Sequence, residues 1–290
     1  MMKIYIDGHY YEKHEACISV FDHGLLYGDG VFEGIRIYGG GIFKLDAHVR
    51  RLYQSARAIL LEIPLSEQEM KDAITGTVKA NDKEDGYIRV LVTRGAGALG
   101  IDPSSCAKPS VIIIVGDIQL YPRSYYQEGI AVMTAASRRM PSDCLDARVK
   151  SLNYLNNIMA KLEARQAGCL EAVMLNKEGY VAECTGDNIF IVKDGDLYMP
   201  APCYGALDGI TMETIIELAA AMDLTCHQSA LTRYDLYTAD ECFLTGTGAE
   251  IIPVVRIDGR CVGEGKPGRL TCCLREAFDK TVRQPVHLAA

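Results

Sequence analysis

The amino-acid sequence predicts a two-domain protein of the α/β class, in its α+β form, with strands and helices in both halves. The first observation is the length of 290 residues, which exceeds the roughly 100–200 residues of one ordinary domain. The second is a composition of 49% hydrophobic and 23% charged residues, which is typical of a globular protein. The third is that alternating strand patterns and helix-spaced patterns follow one another along the chain.

Short strands and two helices are predicted for the first half of the chain. The Asp7-Gly8 pair between alternating residues is a hairpin turn signal. Ser66 followed by Glu69 is a capping-box pattern, which marks the start of a helix. The predicted elements are hairpins over 4–12 and 31–43, helices over 45–61 and from Ser66, and strands over 87–92 and 111–115.

The second half contains further strands and longer helices. Lys150 precedes an amphipathic helix whose apolar face carries Leu155, Ile158, Met159 and Leu162. The other predicted elements are strands over 130–133, 171–175, 180–192 (in two pieces), 241–245 and 251–257, and helices over 210–222 and 270–282.

These elements divide into two domains. We expect a small N-terminal α/β domain over residues 1–118, an interdomain linker over 119–128 and a large C-terminal domain over 129–290. The strands and helices of the first region end near Gly116. The linker follows because Pro122 and its polar neighbours interrupt both periodic patterns.

Charge and cysteine content argue against several classes of partner and site. The net charge of −8, without any basic run, argues against nucleic acid and anionic membranes as partners. The N-terminus lacks a signal-like apolar segment, and no apolar run approaches membrane-spanning length. The eleven cysteines are odd in number and include no Cys-x-x-Cys. We therefore expect reduced thiols in a cytoplasmic protein, with neither a disulfide frame nor a metal site.

The stretch around Lys150 is the first candidate for chemistry. Apolar neighbours remove water from an amine, which can then become neutral and nucleophilic. An unperturbed lysine, with a pKa of about 10.4, is neutral in only about one molecule in two thousand at pH 7. Glu183 lies at the break between two predicted strands. Taken locally, both residues are also compatible with ordinary roles, as a solvated lysine and a surface glutamate.

Two motifs resemble the fold-type IV family of pyridoxal-phosphate enzymes. They are Val149-Lys-Ser-Leu-Asn-Tyr-Leu-Asn-Asn157 and Ala182-Glu-Cys-Thr-Gly-Asp-Asn-Ile-Phe190. That family contains the branched-chain aminotransferases, which this chain resembles most, the D-amino acid aminotransferases and aminodeoxychorismate lyase. The resemblance extends from about Ile4 to about Phe278. It implies a small α/β domain, a larger pseudo-barrel domain that binds the cofactor, and pyridoxal 5'-phosphate as that cofactor.

The resemblance also implies which residues bind the cofactor. Lys150 would hold its aldehyde as a Schiff base, and Glu183 would keep its ring nitrogen protonated, so that the ring acts as an electron sink. Arg51, in His48-Val-Arg-Arg-Leu, and the helix start at 209–211 would hold the phosphate. The implied cofactor-binding residues are Arg51, Lys150, Tyr154, Glu183, Leu207, Ile210, Thr211 and Thr247, of which Lys150 is also catalytic.

Substrate recognition needs partners for an α-carboxylate and for a side chain. Tyr87 and Arg89 alternate along a predicted strand and so share one face, and the resemblance places this pair beside the carboxylate. The loop that follows carries Leu99 and Ile101, which cannot hold a carboxylate and suit an aliphatic side chain. The resemblance implies that Tyr27 comes from the partner subunit of an obligate homodimer or higher homo-oligomer. The implied substrate-binding residues are Tyr27, Phe32, Gly34, Arg36, Tyr87, Arg89, Leu99, Ile101, Gly248 and Ala249.

The implied function is transamination of the branched-chain L-amino acids Leu, Ile and Val with 2-oxoglutarate, by a ping-pong mechanism through a Lys150 Schiff base. The partners are then small amino and keto acids. The lysine motif also fits D-amino acid aminotransferases and the lyase. A D-amino acid or (R)-amine transaminase and a β-eliminating lyase are therefore alternatives. A non-catalytic cofactor-binding protein is another, against which the lysine, the glutamate and the phosphate-binding residues argue.

Overall fold

The computed structural model describes residues 2–118 and 121–283, which fold as two compact units. Of these residues, the first unit contains 2–118, 149–153 and Arg283, and the second contains 121–148 and 154–282. Residues 119 and 120 of the predicted linker and 284–290 of the predicted C-terminal domain lie outside the described residues.

The first unit is built on an antiparallel sheet of six strands in the order β2-β1-β6-β5-β3-β4. Both predicted hairpins are confirmed, and the first turns at Asp7 (φ 49°) and Gly8 (φ 94°). The elements are β1 (Lys3–Ile6), β2 (His9–Glu12), α1 (His23–Tyr27), β3 (Gly30–Tyr38), β4 (Gly41–Ile42), α2 (Leu45–Ala58), α3 (Glu67–Ala80), β5 (Gly86–Thr93) and β6 (Ser110–Gly116).

Two helices, α2 and α3, pack against this sheet and against each other. The capping box predicted at Ser66 is confirmed, since its side chain accepts from Glu69 N while the Glu69 side chain accepts from Ser66 N. Alternate residues of β3 and β5 face these helices, as expected for strands with one buried face. The core includes Val31, Ile35, Ile37, Val49, Leu52, Met70, Ile74, Ile88, Val90, Val92 and Ile113.

The segment 149–153 adds a short extended piece along the edge of β3 that β5 does not occupy. Phe32 N donates to Lys150 O over 3.0 Å, and Leu152 N donates to Gly30 O over 2.9 Å. Val31 and Ser151 form an antiparallel bridge between these bonds. The backbone of Lys150 is thereby fixed to the sheet of the first unit.

The second unit is built on a curled, mixed sheet of nine strands in the order β12-β11-β10-β13-β14-β7-β8-β9, with β15 paired to β14. Three pairings are parallel: β11 with β12, β14 with β7, and β7 with β8. The elements are α4 (Arg123–Glu128), β7 (Ile130–Thr134), α5 (Leu155–Gln166), β8 (Glu171–Leu175), β9 (Val181–Cys184), β10 (Asn188–Lys193), β11 (Asp196–Pro200), α6 (Ile210–Ala221), β12 (Cys226–Ser229), α7 (Arg233–Tyr237), β13 (Glu241–Gly246), β14 (Glu250–Ile257), β15 (Arg260–Cys261) and α8 (Arg269–Val282). The predicted mixture of a smaller and a larger α/β unit is confirmed.

Helix α5 forms as predicted, but it buries a different face from the apolar one. Its buried residues are Asn157, Ala160 and Ala164, and the two alanines pack against β8 in a cluster of small side chains. Small residues allow a helix to approach a strand closely, so they occupy the core side. The apolar residues Leu155, Ile158, Met159 and Leu162 are instead 45–70% exposed in the single chain.

Neither a membrane-spanning helix nor a metal cluster is found in the described ranges. No helix within 2–118 or 121–283 combines the length and apolar character needed to cross a membrane. The same residues offer no group of three or more His, Cys, Asp or Glu side chains arranged to hold a metal ion.

Candidate functional site

Lys150 lies in the first unit with its amine over an aromatic ring. Its Nζ is 4.7 Å from the centroid of the Phe32 ring. Its backbone N–H donates to Ser55 Oγ on α2 over 3.0 Å, in addition to the bonds to β3. The lysine side chain therefore extends from a backbone that is fixed on both sides.

Phe32, Gly34, Tyr87 and Arg89 line one face of the β3–β5 pair beside Lys150. The Arg89 guanidinium carbon is 4.6 Å from the Phe32 ring centroid and 5.4 Å from that of Tyr87. A Cβ added at Gly34 would lie 1.8 Å from the Tyr87 hydroxyl oxygen, so that glycine makes room for the phenol. The Arg89 guanidinium and the Lys150 amine thus both lie over the buried Phe32 ring, and the Tyr87 phenol lies beside the guanidinium.

The other predicted substrate residue of β3, Arg36, lies further along the same strand. Its guanidinium carbon is 5.0 Å from the centroid of the Tyr38 ring. Arg36 pairs with Tyr87 across the β3–β5 ladder. It therefore extends the row of polar and aromatic side chains on this pair of strands.

Arg51 is anchored by a buried carboxylate that sequence analysis did not single out. Glu33 accepts from Arg51 Nε over 2.7 Å and from Arg51 Nη2 over 2.8 Å. It also accepts from His48 Nδ1 over 2.8 Å. Helix periodicity puts His48 and Arg51 on one face of α2. We call these three residues the Glu33 cluster.

Within the Glu33 cluster, Glu33 and Arg51 are charged and His48 is neutral. Burial alone would raise the pKa of Glu33, but the Arg51 charge and the hydrogen bonds from Arg51 and His48 outweigh it and lower the pKa from 4.5 to about 2. Burial also lowers the pKa of His48, against the opposing effect of Glu33. At neutral pH, Glu33 is therefore an anion, and it accepts a hydrogen bond from the Nδ1–H group of a neutral His48.

Helix α1 holds the loop that carries Leu99 and Ile101. The Tyr27 hydroxyl donates to the Leu99 carbonyl oxygen, and Nε2 of the fully buried His23 lies 2.9 Å from the Ala98 carbonyl oxygen. The side chains of Leu99 and Ile101 are exposed. Sequence analysis missed His23, although its position one turn before Tyr27 in α1 was a readable signal.

Glu183 lies in β9 of the second unit and is held by two donors. Arg139 Nη2 is 2.8 Å from its Oε1, and Leu207 N donates to its Oε2 over 2.8 Å. Arg139 also donates to Gly205 O over 3.0 Å and to Asn157 Oδ1 over 2.7 Å. We call Arg139, Asn157, Glu183 and Leu207 the Glu183 cluster. The predicted Leu207 thus acts through its backbone, while Arg139 and Asn157 were missed.

The turn after Glu183 is held by buried polar contacts. Asn157 Nδ2 donates to Thr185 O over 2.9 Å. Glu171 accepts from Thr185 N over 3.0 Å and from the Thr185 hydroxyl, and it forms an ion pair with Lys161 at 2.7 Å. These contacts hold the backbone at Thr185, two residues after Glu183, in place.

The predicted phosphate residues of this unit lie at one end of its sheet. Ile210 and Thr211 begin α6 and are buried. Asn188 Nδ2 donates to Leu207 O over 2.9 Å, and Asn188 pairs with Thr245 across β10 and β13. The predicted residues of the turn between β13 and β14, at the same end, are Thr247, Gly248 and Ala249.

Two further features of the second unit bear on the predictions. Tyr154 immediately precedes α5 and is half-buried.

A cavity of about 300 Å³ lies beside Gly205, and none of the predicted site residues lines it. The chemistry-bearing groups therefore do not coincide with that cavity.

Comparisons with known proteins agree with the motifs. Residues 30–257 match the family described as amino-transferase class IV. A protein of Methanocaldococcus jannaschii, provisionally named a branched-chain-amino-acid aminotransferase, is 48% identical over 277 residues, which cover 96% of this chain and 95% of that one. The D-alanine aminotransferase of Bacillus licheniformis is 35% identical over 281 residues, which cover 97% of each chain.

A solved structure is similar over almost the whole chain. The T.th. branched-chain amino acid aminotransferase, crystallised with pyridoxamine 5'-phosphate, has a TM-score of 0.93 and 37% identity, and the match covers 98% of this chain and 95% of that chain. The same protein with N-(5'-phosphopyridoxyl)-L-glutamate has a TM-score of 0.92.

Proposed function

Because the chain belongs to the class IV amino-transferase family, we propose that it is a pyridoxal-phosphate-dependent branched-chain amino acid aminotransferase. The observation that carries the proposal is the series of contacts that runs from the Lys150 amine over the Phe32 ring to Arg89, and from Arg89 to Tyr87. A guanidinium and a phenol suit an amino acid carboxylate, and the aromatic ring suits an apolar side chain.

Lys150 is proposed as the catalytic residue. When bound, pyridoxal phosphate supplies an aldehyde that an amine can hold and a ring that withdraws electrons from the bonds of Cα. Lys150 Nζ would hold that aldehyde and then carry a proton to and from Cα of the amino acid. Its fixed backbone supports this role because only the flexible side chain has to move.

Glu183 is proposed as the partner of the cofactor's ring nitrogen. The bonds from Arg139 and Leu207 fix both carboxylate oxygens of Glu183. A carboxylate held in this way keeps its orientation, so it can stabilise a proton on a neighbouring nitrogen. Asn157 contributes indirectly, because it accepts from Arg139.

The phosphate is assigned to residues that can supply donors. Arg51 offers a guanidinium, the start of the twelve-residue α6 offers the backbone N–H groups of Ile210 and Thr211, and Thr247 offers a hydroxyl. Helix N-termini attract anions, and arginine adds charge-assisted hydrogen bonds. Tyr154 completes the proposed cofactor set beside the ring.

The side-chain pocket and the assembly are proposed together. Phe32, Gly34, Arg36, Gly248 and Ala249 would contact the substrate within one chain. Residues of α1 and of its loop, Tyr27, Leu99 and Ile101, would reach the partner's site in a homodimer or higher homo-oligomer. The exposed apolar side chains of α1 and of this loop support association, since such surfaces often mark subunit contacts.

The amino acceptor is proposed to be 2-oxoglutarate, used in two half-reactions of a ping-pong cycle. The glutamate adduct of the T.th. relative supports an acidic side chain as well as an apolar one in this type of site. The substrates are then small amino and keto acids. A cytoplasmic location is proposed because an odd number of free cysteines suits a reducing compartment.

A donor scan tests the substrate. With 2-oxoglutarate as acceptor, we expect L-Leu, L-Ile and L-Val to give the highest rates, ahead of D-Ala, D-Glu and (R)-1-phenylethylamine. Highest rates with D-Ala would instead favour the second candidate, a D-amino acid aminotransferase, which the D-alanine aminotransferase relative motivates. That result would also remove Tyr87 and Arg89 from their role as carboxylate partners of an L-amino acid.

A further inference from the structure

Glu33 is a charged residue in a row that is otherwise apolar. Strand alternation puts Val31, Glu33, Ile35 and Ile37 on the face of β3 that packs against the core, and all four are fully buried. Phe32 and its alternate neighbours point to the opposite face, which carries the proposed substrate contacts. Glu33 therefore cannot meet the substrate directly, and burying its charge costs stability unless the charge is paired and hydrogen-bonded.

The contacts of Glu33 all lead to α2. Its two oxygens take Arg51 Nε at 2.7 Å and Arg51 Nη2 at 2.8 Å, which is the two-pronged geometry that fixes the plane of a guanidinium. His48 Nδ1 adds a third donor at 2.8 Å. A planar group gripped along one edge keeps its remaining N–H directions constant, so Glu33 determines where Arg51 can donate.

We propose that Glu33 is a positioning residue that orients Arg51 for the phosphate of the cofactor. This inference rests on the proposed function, in which Arg51 binds that phosphate. Glu33 brings a negative charge close to a site for an anion, which by Coulomb's law weakens anion binding. The orientation of Arg51 must therefore be worth more to the phosphate than the repulsion costs. Removing the Glu33 charge should therefore weaken phosphate binding if orientation matters more, and strengthen it if repulsion matters more.

The test is the affinity of the cofactor-depleted full-length protein for pyridoxal phosphate, followed by visible absorbance. Glu33→Gln removes the charge and one of the acceptors. If Glu33 positions Arg51, the Kd rises by about tenfold or more, as for loss of a well-oriented charge-assisted bond. A Kd that falls or stays unchanged, as removal of repulsion alone predicts, overturns the proposal.

A second ligand and a second variant separate positioning from general damage. Pyridoxal, which lacks the phosphate, should bind wild type and Glu33→Gln equally. An equal loss for pyridoxal and pyridoxal phosphate would overturn the proposal. Glu33→Asp keeps the charge but shortens the side chain by one methylene, and we expect it to raise the Kd for pyridoxal phosphate as well. Glu33→Asp decides the matter if Glu33→Gln does not fold.

The first unit offers a matched control in the Asp29–Arg94 pair. Arg94 Nε and Nη2 donate to the two oxygens of Asp29 at 3.0 and 2.9 Å, so Asp29→Asn breaks an equivalent two-pronged pair. It should leave the Kd for pyridoxal phosphate unchanged. A tenfold rise in this control would show that Glu33 has no special connection to the phosphate.

Arg51→Lys distinguishes failure of this inference from failure of the proposed function. If Arg51→Lys leaves the Kd for pyridoxal phosphate unchanged, the phosphate role of Arg51 is wrong and the inference falls with it. If Arg51→Lys weakens binding while both Glu33 variants bind normally, only the inference is wrong. Weaker binding in all three variants, with pyridoxal unaffected, supports both.

Discussion

The Glu33 and Glu183 clusters are both buried glutamate–arginine pairs, one in each unit, and they divide the work differently. In the Glu33 cluster the arginine is the proposed ligand-binding member and the carboxylate holds it. In the Glu183 cluster the carboxylate is the proposed ligand-binding member and Arg139 holds it. In each pair, sequence motifs identified the member that would face the cofactor and missed the member that fixes its orientation.

The two clusters also differ in how they satisfy their arginine. Two nitrogens of Arg51, a residue of α2, donate to the Glu33 carboxylate. Arg139 distributes its donors over Glu183, the Gly205 carbonyl and Asn157. Arg139 therefore connects more separate segments of the chain than Arg51 does through Glu33.

Replacement of Lys150 should have the largest effect and sets the scale against which both pairs are judged. Lys150→Ala removes the group that would carry the proton, and general acid–base catalysis alone contributes about 10²–10⁴-fold. We therefore expect a loss of transamination of at least about a thousandfold, measured as kcat. The backbone bonds of residue 150 remain, so the melting temperature of the cofactor-free protein should change little. Turnover at the wild-type rate would exclude Lys150 as the catalytic residue.

Arg139→Met tests whether the Glu183 cluster depends on its arginine. Removing one partner leaves a buried carboxylate uncompensated and strips donors from Gly205 O and Asn157, so we expect unfolding free energy to fall by about 3–5 kcal/mol. Urea unfolding at neutral pH measures this. Adding Glu183→Gln in the same protein should restore part of the loss, since the unpaired charge is gone. A loss under about 1 kcal/mol would mean that the pair behaves like a surface ion pair.

The pH dependence of stability examines the Glu33 cluster. The pKa of Glu33 falls from 4.5 to about 2 on folding, so its contribution is fully present above the unfolded pKa of 4.5 and is lost as the pH falls through about 2. At about 1.4 kcal/mol per pKa unit, the contribution is on the order of 3 kcal/mol. Between pH 7 and pH 3, wild type should lose about 2 kcal/mol more than Glu33→Gln, measured by urea unfolding. Parallel losses in both proteins would contradict the lowered pKa of Glu33.

Gly34→Ala should destabilise the protein only modestly and act mainly on the substrate face. The new Cβ would lie 1.8 Å from the Tyr87 hydroxyl oxygen, but a phenol at the end of a side chain can move, so we expect only about 1–3 kcal/mol of destabilisation. Displacing the phenol should raise KM for L-Leu by about tenfold and leave the Kd for pyridoxal phosphate unchanged. Tyr87→Phe alone, which removes the hydroxyl without adding a Cβ at Gly34, serves as the control and should raise KM to a similar extent. An unchanged KM would separate Tyr87 from substrate binding.

Much of the fold was predictable because it follows from local patterns. The Asp7-Gly8 turn, the Ser66 capping box and the strands over 171–175 and 241–245 all form where the sequence predicts them. The family predicted from the Lys150 and Glu183 motifs is confirmed by the match over 30–257. Such features depend on neighbours in the chain, which a sequence displays directly.

What the sequence did not predict depends on contacts between distant segments. Glu33 alternates with Phe32 like any strand residue, and nothing near it indicates that α2 supplies its donors. Arg139 lies in an irregular stretch whose only signal is its charge. The apolar face of α5 was misleading in the opposite sense, because the small residues Ala160 and Ala164 decide which side packs.

The most direct test of the central claim is to reduce the purified protein with borohydride and locate the modified lysine by peptide mass spectrometry. Reduction makes the bond between pyridoxal phosphate and its lysine permanent. We predict a single phosphopyridoxyl group on Lys150 and loss of the visible absorbance band. A modified lysine elsewhere in the chain, or no modification in a protein that still transaminates L-Leu, would contradict the assignment of Lys150.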